Sequence, residues 1–217
     1  MENFIRISLS WTSCYLIKGN QGYLMVDCGN FGDEKELLLK LHKAKISLAS
    51  IRWLFLTHHH SDHCGLLPFM VSQNPEMRIL MSRKCAQYLE TGRHFHPASE
   101  QYASKALGYA FGLYRRVGGT LNDTFPAYCS REGDVIFAAK SQPVPDFVGI
   151  KGDIIHTPEH TEDSFSLIIG EDAFVGDAAR NILGFLGARY QPILLYDRAA
   201  CLKSWNNLLA RGVRRVH

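Results

Sequence analysis

Residues 57–65 read Thr-His-His-His-Ser-Asp-His-Cys-Gly, so four imidazoles and one carboxylate fall within six consecutive positions, His58 to His63. Neutral imidazole nitrogens and ionised carboxylates are the usual protein ligands of zinc and its neighbours. In an extended segment side chains repeat every second residue, so His58 and His60 point the same way. A turn at Ser61 then brings Asp62 and His63 back towards an adjacent position, and one peptide can supply two ligands to each of two ions. His59 is out of phase with its neighbours and is read as a packing residue or a support behind the ligands. A surface histidine run would not explain why the cluster directly follows a strand-like segment and has Gly65 beside it.

The surrounding elements are those of a mixed α/β chain. Residues 4–9, 14–18 and 23–27 are short apolar or alternating runs separated by turn-prone stretches, and read as strands. Asp33 is expected to cap a helix that presents Leu37, Leu38, Leu41 and Ala44 on one face. Residues 51–56 form a strand-length apolar run that ends at the histidine cluster. A short helix over 65–71, a strand over 78–81 and a helix over 82–89 follow. Strands are expected at 135–139, 153–156, 165–169 and 173–175, a helix at 198–210, and a last strand at 213–216. The aromatic-rich stretch at about 94–129 interrupts this rhythm as an insertion, with a helix expected from Ala98 to about Tyr114.

Composition limits what else the chain can be. Its 217 residues, 46% hydrophobic and 21% charged, suit one folded domain. A formal charge of +3 is too small to indicate nucleic acid, and the pairs Arg115–Arg116 and Arg214–Arg215 read as solvated surface. Six cysteines without a C-x-x-C pair suggest buried or half-buried thiols in a reducing compartment. No signal peptide or membrane span is visible, so a cytoplasmic location is expected.

The His58–His63 segment at the end of a strand resembles the first signature of the metallo-β-lactamase superfamily. Ser13-Cys14-Tyr15-Leu16-Ile17 and Leu24-Met25-Val26-Asp27-Cys28-Gly29 look like that family's opening strands. Thr157-Pro158-Glu159-His160-Thr161 resembles the loop supplying a third histidine, with glutamate where glycine is usual. Phe174-Val175-Gly176-Asp177 resembles the segment whose aspartate bridges two metals. The resemblance implies a four-layer αββα sandwich spanning 1–217. It implies one metal position at His58, His60 and His160, and a second at Asp62, His63 and Asp177. His42, His94, His96 and His156 stay outside the set. The family's last histidine would fall a few residues after the final strand, so either it lies beyond residue 217 or His217 takes its place. The first is expected, because the resemblance also implies a C-terminal closing segment that is missing from 1–217.

The implied chemistry is hydrolysis of a small-molecule substrate. One or two divalent ions, zinc first with iron or manganese as alternatives, would activate a hydroxide and polarise the substrate oxygen. Asp62 would orient the hydroxide. An ester, thioester or lactone is the expected substrate class. The chain is short for the extra domain of the RNA-processing nucleases, and a phosphodiesterase is the weaker alternative. A mononuclear iron enzyme like the persulfide dioxygenases is the rival from another reaction class. Neither nucleic acid nor membrane is expected as a partner, and the oligomeric state is not fixed by the sequence. In the insertion, Tyr102, Tyr109 and Leu113 would share a helical face with Ala106. That face suits either a packing stripe or a pocket wall, with Arg115 or Arg116 near a substrate anion.

Overall fold

The computed structural model describes residues 4–97, 101–117, 123–158, 160–180, 190–195 and 197–217. Two sheets form its centre. The first has the order β1 (Phe4–Ser8), β2 (Ser13–Gly19), β3 (Gly22–Val26), β4 (Ile51–Phe55), β5 (Arg78–Ser82) and β7 (Val135–Phe137). Its first three strands are antiparallel, whereas β3, β4, β5 and β7 run parallel. The second has the order β13 (Arg215–Val216), β11 (Asp172–Phe174), β10 (Phe165–Ile169), β9 (Asp153–His156) and β8 (Ser141–Pro143).

Period-two alternation divides the strand residues between layers. Ile17, Leu24, Val26, Phe55 and Leu80 of the first sheet pack against Ile154, Phe165, Leu167 and Phe174 of the second. The intervening residues Cys14, Leu16, Met25, Leu54 and Ile79 face the helices α1 (Glu34–Lys43), α3 (Leu67–Gln73) and α4 (Arg83–Thr91). On the far side, Ile155, Ile168 and Ala173 meet Leu208 of α6 (Arg198–Ala210). The result is the four-layer αββα sandwich.

Several local expectations need correction. Asp33 precedes α1 without capping it through its side chain. Its carboxylate instead accepts from the Ser10 hydroxyl and the Asn30 N–H, and Leu38 is exposed. The turn at Ser61 is a short helix, α2 (Ser61–Cys64), entered from an extended His60. Gly65 closes it because a Cβ there would lie 2.4 Å from both the Ser61 carbonyl and the Phe31 nitrogen.

The insertion differs most. Its helix α5 begins at Lys105 and ends at Arg116, while Gln101–Tyr102 forms β6. β6 pairs antiparallel with β12 (Leu194–Leu195) as a separate two-stranded ribbon. Tyr102 is therefore not on the helix, and its ring stacks on Phe111. Tyr109 and Leu113 are 78% and 53% exposed, so the expected stripe faces away from the packed side. That side is formed by Leu107 and Phe111 against Ile193, Leu195, Cys201 and Trp205. The Arg115 side chain lies outside the description, as does the expected helix start at residue 98.

Five cysteines are buried and Cys129 is exposed, and no two of the six are joined by a disulfide. Among the described residues, no helix is long and apolar enough to cross a membrane.

Candidate metal centre

The parallel strands β3 and β4 deliver Asp27 and residues 57–63 to one edge of the sandwich, beyond their carboxyl ends, where open α/β sheets commonly bind ligands. The second sheet sends its loops to the same edge. His160 follows β9, Asp177 follows β11, and Phe165 N–H donates to the Thr57 carbonyl where the two sheets meet. Gly176 has φ +55, and a Cβ there would sit 2.5 Å from Thr57 Oγ1, so only glycine lets the Asp177 segment approach the motif strand this closely.

Two groups of candidate ligand atoms result. One joins His58, His60 and His160, the other His58, His63 and Asp177, with the atoms of each group within 4.8 Å of one another. His60 Nδ1 and His160 Nε2 are 2.8 Å apart. Asp177 reaches towards both groups, with Oδ1 3.2 Å from His63 Nε2 and Oδ2 3.5 Å from His160 Nε2. Asp62 Oδ2 is 3.6 Å from His63 Nε2 and belongs to neither group. All six sequence-derived residues thus meet at one edge, with Asp62 at its margin.

Hydrogen-bond partners fix which nitrogen each imidazole presents. Thr57 Oγ1 donates to the Asp27 carboxylate and accepts from His58 Nδ1–H at 3.0 Å. This leaves the His58 Nε2 lone pair pointing into the centre. His160 Nδ1–H donates to the Leu194 carbonyl at 2.9 Å, so its Nε2 lone pair also points inward. His63 Nδ1–H donates to Asp27 Oδ2 at 2.7 Å. Asp27, at φ +54, therefore orients two histidines from a backbone conformation uncommon for a non-glycine residue.

These residues fit a metal ion. His58 Nε2 is a buried ring nitrogen with no hydrogen-bond partner, and His60 Nδ1 faces the inward-pointing His160 Nε2 at 2.8 Å. A buried lone pair aimed at another ring nitrogen is unfavourable until a proton or cation separates them. A single ion with bonds of about 2 Å could join nitrogens at the His60–His160 spacing. Burial, reinforced by the neighbouring rings, holds His58 and His60 well below the usual imidazole range and keeps them neutral, as ligation requires. For His63 burial acts in the same direction, but Asp62, Asp27 and Asp177 outweigh it and raise its value. Burial opposes ionisation of Asp177, yet the Arg180 guanidinium and His63 hold its carboxyl well below the usual range.

Four contributors have no counterpart among the sequence-derived ligands: Asp27, Thr57, Asp163 and Arg180. Asp163 accepts from both the backbone N–H and Nδ1–H of the fully buried His59. His59 Nε2 accepts from the Phe95 N–H at 3.0 Å. Both His59 ring nitrogens are thus engaged in tying the motif to the third-histidine loop and the insertion, and His59 is in neither group of candidate ligand atoms. His94 lies closer to the site than its bland reading implied. Its ring is 4.4 Å from that of His60, and its Nε2 accepts from the Ser61 N–H. His217 does not join the cluster, because its Nε2 is bonded to Asp172 Oδ1 at 2.8 Å. Glu159, where the family usually has glycine, lies outside the described residues.

The chain is similar to the metallo-β-lactamase fold-containing protein ST1585 of Sulfurisphaera tokodaii, 26% identical over 61% of this chain and 46% of that protein. It therefore spans about half the length of that curated relative. Among solved structures it resembles the metallo-β-lactamase MIM-1 of Novosphingobium pentaromativorans, with TM-score 0.58, 17% identity, and 80% and 58% of the two chains covered. It also resembles BJP-1, a subclass B3 metallo-β-lactamase of Bradyrhizobium japonicum, with TM-score 0.60, 16% identity, and 97% and 70% covered. At these identities the structural likeness shows the fold. The family model described as the metallo-β-lactamase superfamily matches residues 12–216, nearly the whole sequence, and the chain belongs to that superfamily.

Proposed function

We propose that this protein is a metal-dependent hydrolase that opens an ester, thioester or lactone bond of a small molecule. The observation that carries this reading is the convergence of His58, His60 and His160, with two tautomers set by Thr57 and the Leu194 carbonyl. A zinc-like ion held there would supply Lewis acidity and a water that ionises near neutral pH.

The chain's own residues do the rest. Thr57 and Asp27 keep His58 in the ligating tautomer, and the Leu194 carbonyl does the same for His160. Asp62 has the most accessible carboxylate of the site, 22% exposed against 10% for Asp177 and 3% for Asp27. It can therefore accept a hydrogen bond from a water entering from solvent and aim it at a bound carbonyl.

A mononuclear iron oxygenase acting on a persulfide is the second reading. It draws on the same group of His58, His60 and His160, which one ion could join. The test is metal analysis of the purified protein, followed by turnover of an ester, thioester and lactone panel and by oxygen uptake with a persulfide. Zinc with hydrolysis supports the first reading, and iron with oxygen uptake supports the second. A His60→Ala variant that keeps its full metal content while folded would overturn both.

A further inference from the structure

We propose that Arg6 binds an anionic group of the substrate, a carboxylate or phosphate remote from the scissile bond, in a cavity beside the candidate metal centre. The inference rests on the hydrolase reading above and names the class of substrate that such an enzyme would take. Between β1 and β2 the cross-strand partners Phe4–Ile17, Arg6–Tyr15 and Ser8–Ser13 share one face, because side chains alternate along each strand. Phe4, Tyr15 and Ile17 pack with the core between the sheets, so this is the face turned towards the second sheet. Such inner faces are normally filled by apolar side chains. Here the face turns polar at its site end, with Arg6, Ser8 and Ser13. Arg6 Nε donates to Ser13 Oγ at 3.0 Å, which fixes the guanidinium and leaves both Nη groups of its fork for a ligand.

A cavity of about 350 Å³ is bounded by Arg6, Ser13 and Tyr15 together with His63, Asp177 and Arg180. It thus joins Arg6 to two of the candidate metal ligands, and its size is in the range of small-molecule pockets. Arg180 is the other cation of the cavity, but Asp177 already holds it at 2.7 Å. Two carboxylates line the same space, and both are engaged elsewhere. Asp27 takes Thr57 and His63, and Asp177 takes His63 and Arg180. The uncompensated charge of the cavity is therefore that of Arg6. Its side chain is exposed, so a ligand can reach it from solvent. A guanidinium stays charged at any pH the protein survives, and its fork matches the paired oxygens of a carboxylate or phosphate. A substrate with its carbonyl at the metal centre would extend its anionic arm along this cavity.

The experiment compares three aryl esters that differ in the acyl group: acetyl, hemisuccinyl and phosphoglycolyl. Each is measured on the metal-loaded native chain, on Arg6→Gln and on Arg6→Lys, with melting temperature as the check on folding. The native chain should favour at least one anionic ester over the acetyl ester by about 10-fold or more in kcat/KM. Arg6→Gln should reduce that ratio about 10-fold, chiefly through KM, and Arg6→Lys should fall between the two. Whichever anionic ester loses more identifies the group as carboxylate or phosphate. A native chain that takes the acetyl ester as well as both anionic ones would overturn the inference and show Arg6 to be solvated surface. So would an Arg6→Gln protein that keeps the preference. If none of the three esters is turned over, the hydrolase reading fails separately, and calorimetric titration of succinate and inorganic phosphate decides the pocket. Binding that weakens about 10-fold in Arg6→Gln supports it, whereas equal affinity, or no binding to the native chain, overturns it.

Discussion

His59→Ala separates support from ligation most sharply. The substitution removes a fully buried imidazole that donates to Asp163 Oδ1 at 2.9 Å and accepts from the Phe95 N–H at 3.0 Å. Breaking a buried charge-bearing pair costs about 3–5 kcal/mol, and an unsatisfied buried N–H costs about 1–3 kcal/mol. These do not add in full, because Asp163 keeps the bond from the residue 59 backbone N–H. A net loss of about 3–5 kcal/mol is expected, and for a chain of this size it lowers Tm by about 6–20 °C. Burial raises the Asp163 pKa, but His59 and neighbouring hydrogen bonds overcome it and hold the value below the usual range. The stability tied to this depressed pKa is present above the unfolded value of about 3.9 and lost as pH falls through the lower folded value. Removing His59 takes that protection away, so acid unfolding should begin at higher pH in the variant. Urea titrations across pH, with bound metal measured on folded protein, supply the readout. A loss below about 1 kcal/mol would refute the energetic argument. Metal loss as complete as in His60→Ala would refute the assignment of His59 as a support.

Three further outcomes follow from the same geometry. Thr57→Val keeps the side-chain shape but strands His58 Nδ1–H, and metal affinity by competitive chelation should fall about 10–100-fold. Gly176→Ala, at φ +55 and against Thr57 Oγ1, should lower stability by more than about 1 kcal/mol in chemical denaturation. Tyr109→Ala, at a side chain 78% exposed, should change stability by less than about 0.5 kcal/mol. Any altered ranking across the substrate panel in that variant would then report on the pocket wall and not on folding.

The sequence made the candidate ligands visible because they are close in the chain or sit in recognisable segments. His58 to His63 lie on one peptide, and His160 and Asp177 stand just past strands that periodicity also locates. The residues that orient the ligands left no such trace. Asp27 meets His63 across 36 positions and Asp163 meets His59 across 104. Asp27 ends an apolar run and Asp163 follows Glu162 just ahead of one, and acidic residues occur at such places for many other reasons. The carbonyl that turns His160 belongs to a leucine, so no side-chain pattern could have marked it. Arg180 escaped notice because an arginine three residues after an aspartate is common on any helix or turn. The insertion was misjudged for a different reason. Its aromatics have helical spacing, yet pairing with residues 194–195 draws Tyr102 into a strand, and tertiary pairing overrides local propensity.

That ribbon also limits how the protein can be redesigned or diversified. Its strand at Leu194–Leu195 is held by Gln101–Tyr102, and the Leu194 carbonyl is the acceptor for His160 Nδ1–H. An element that looks like a removable decoration is therefore a strut for His160 and the candidate metal centre. Exchanging it wholesale to alter substrate preference would loosen a ligand at the same time. Productive variation should concentrate on the outward face of its helix, at positions such as Tyr109 and Leu113, and leave the paired residues in place.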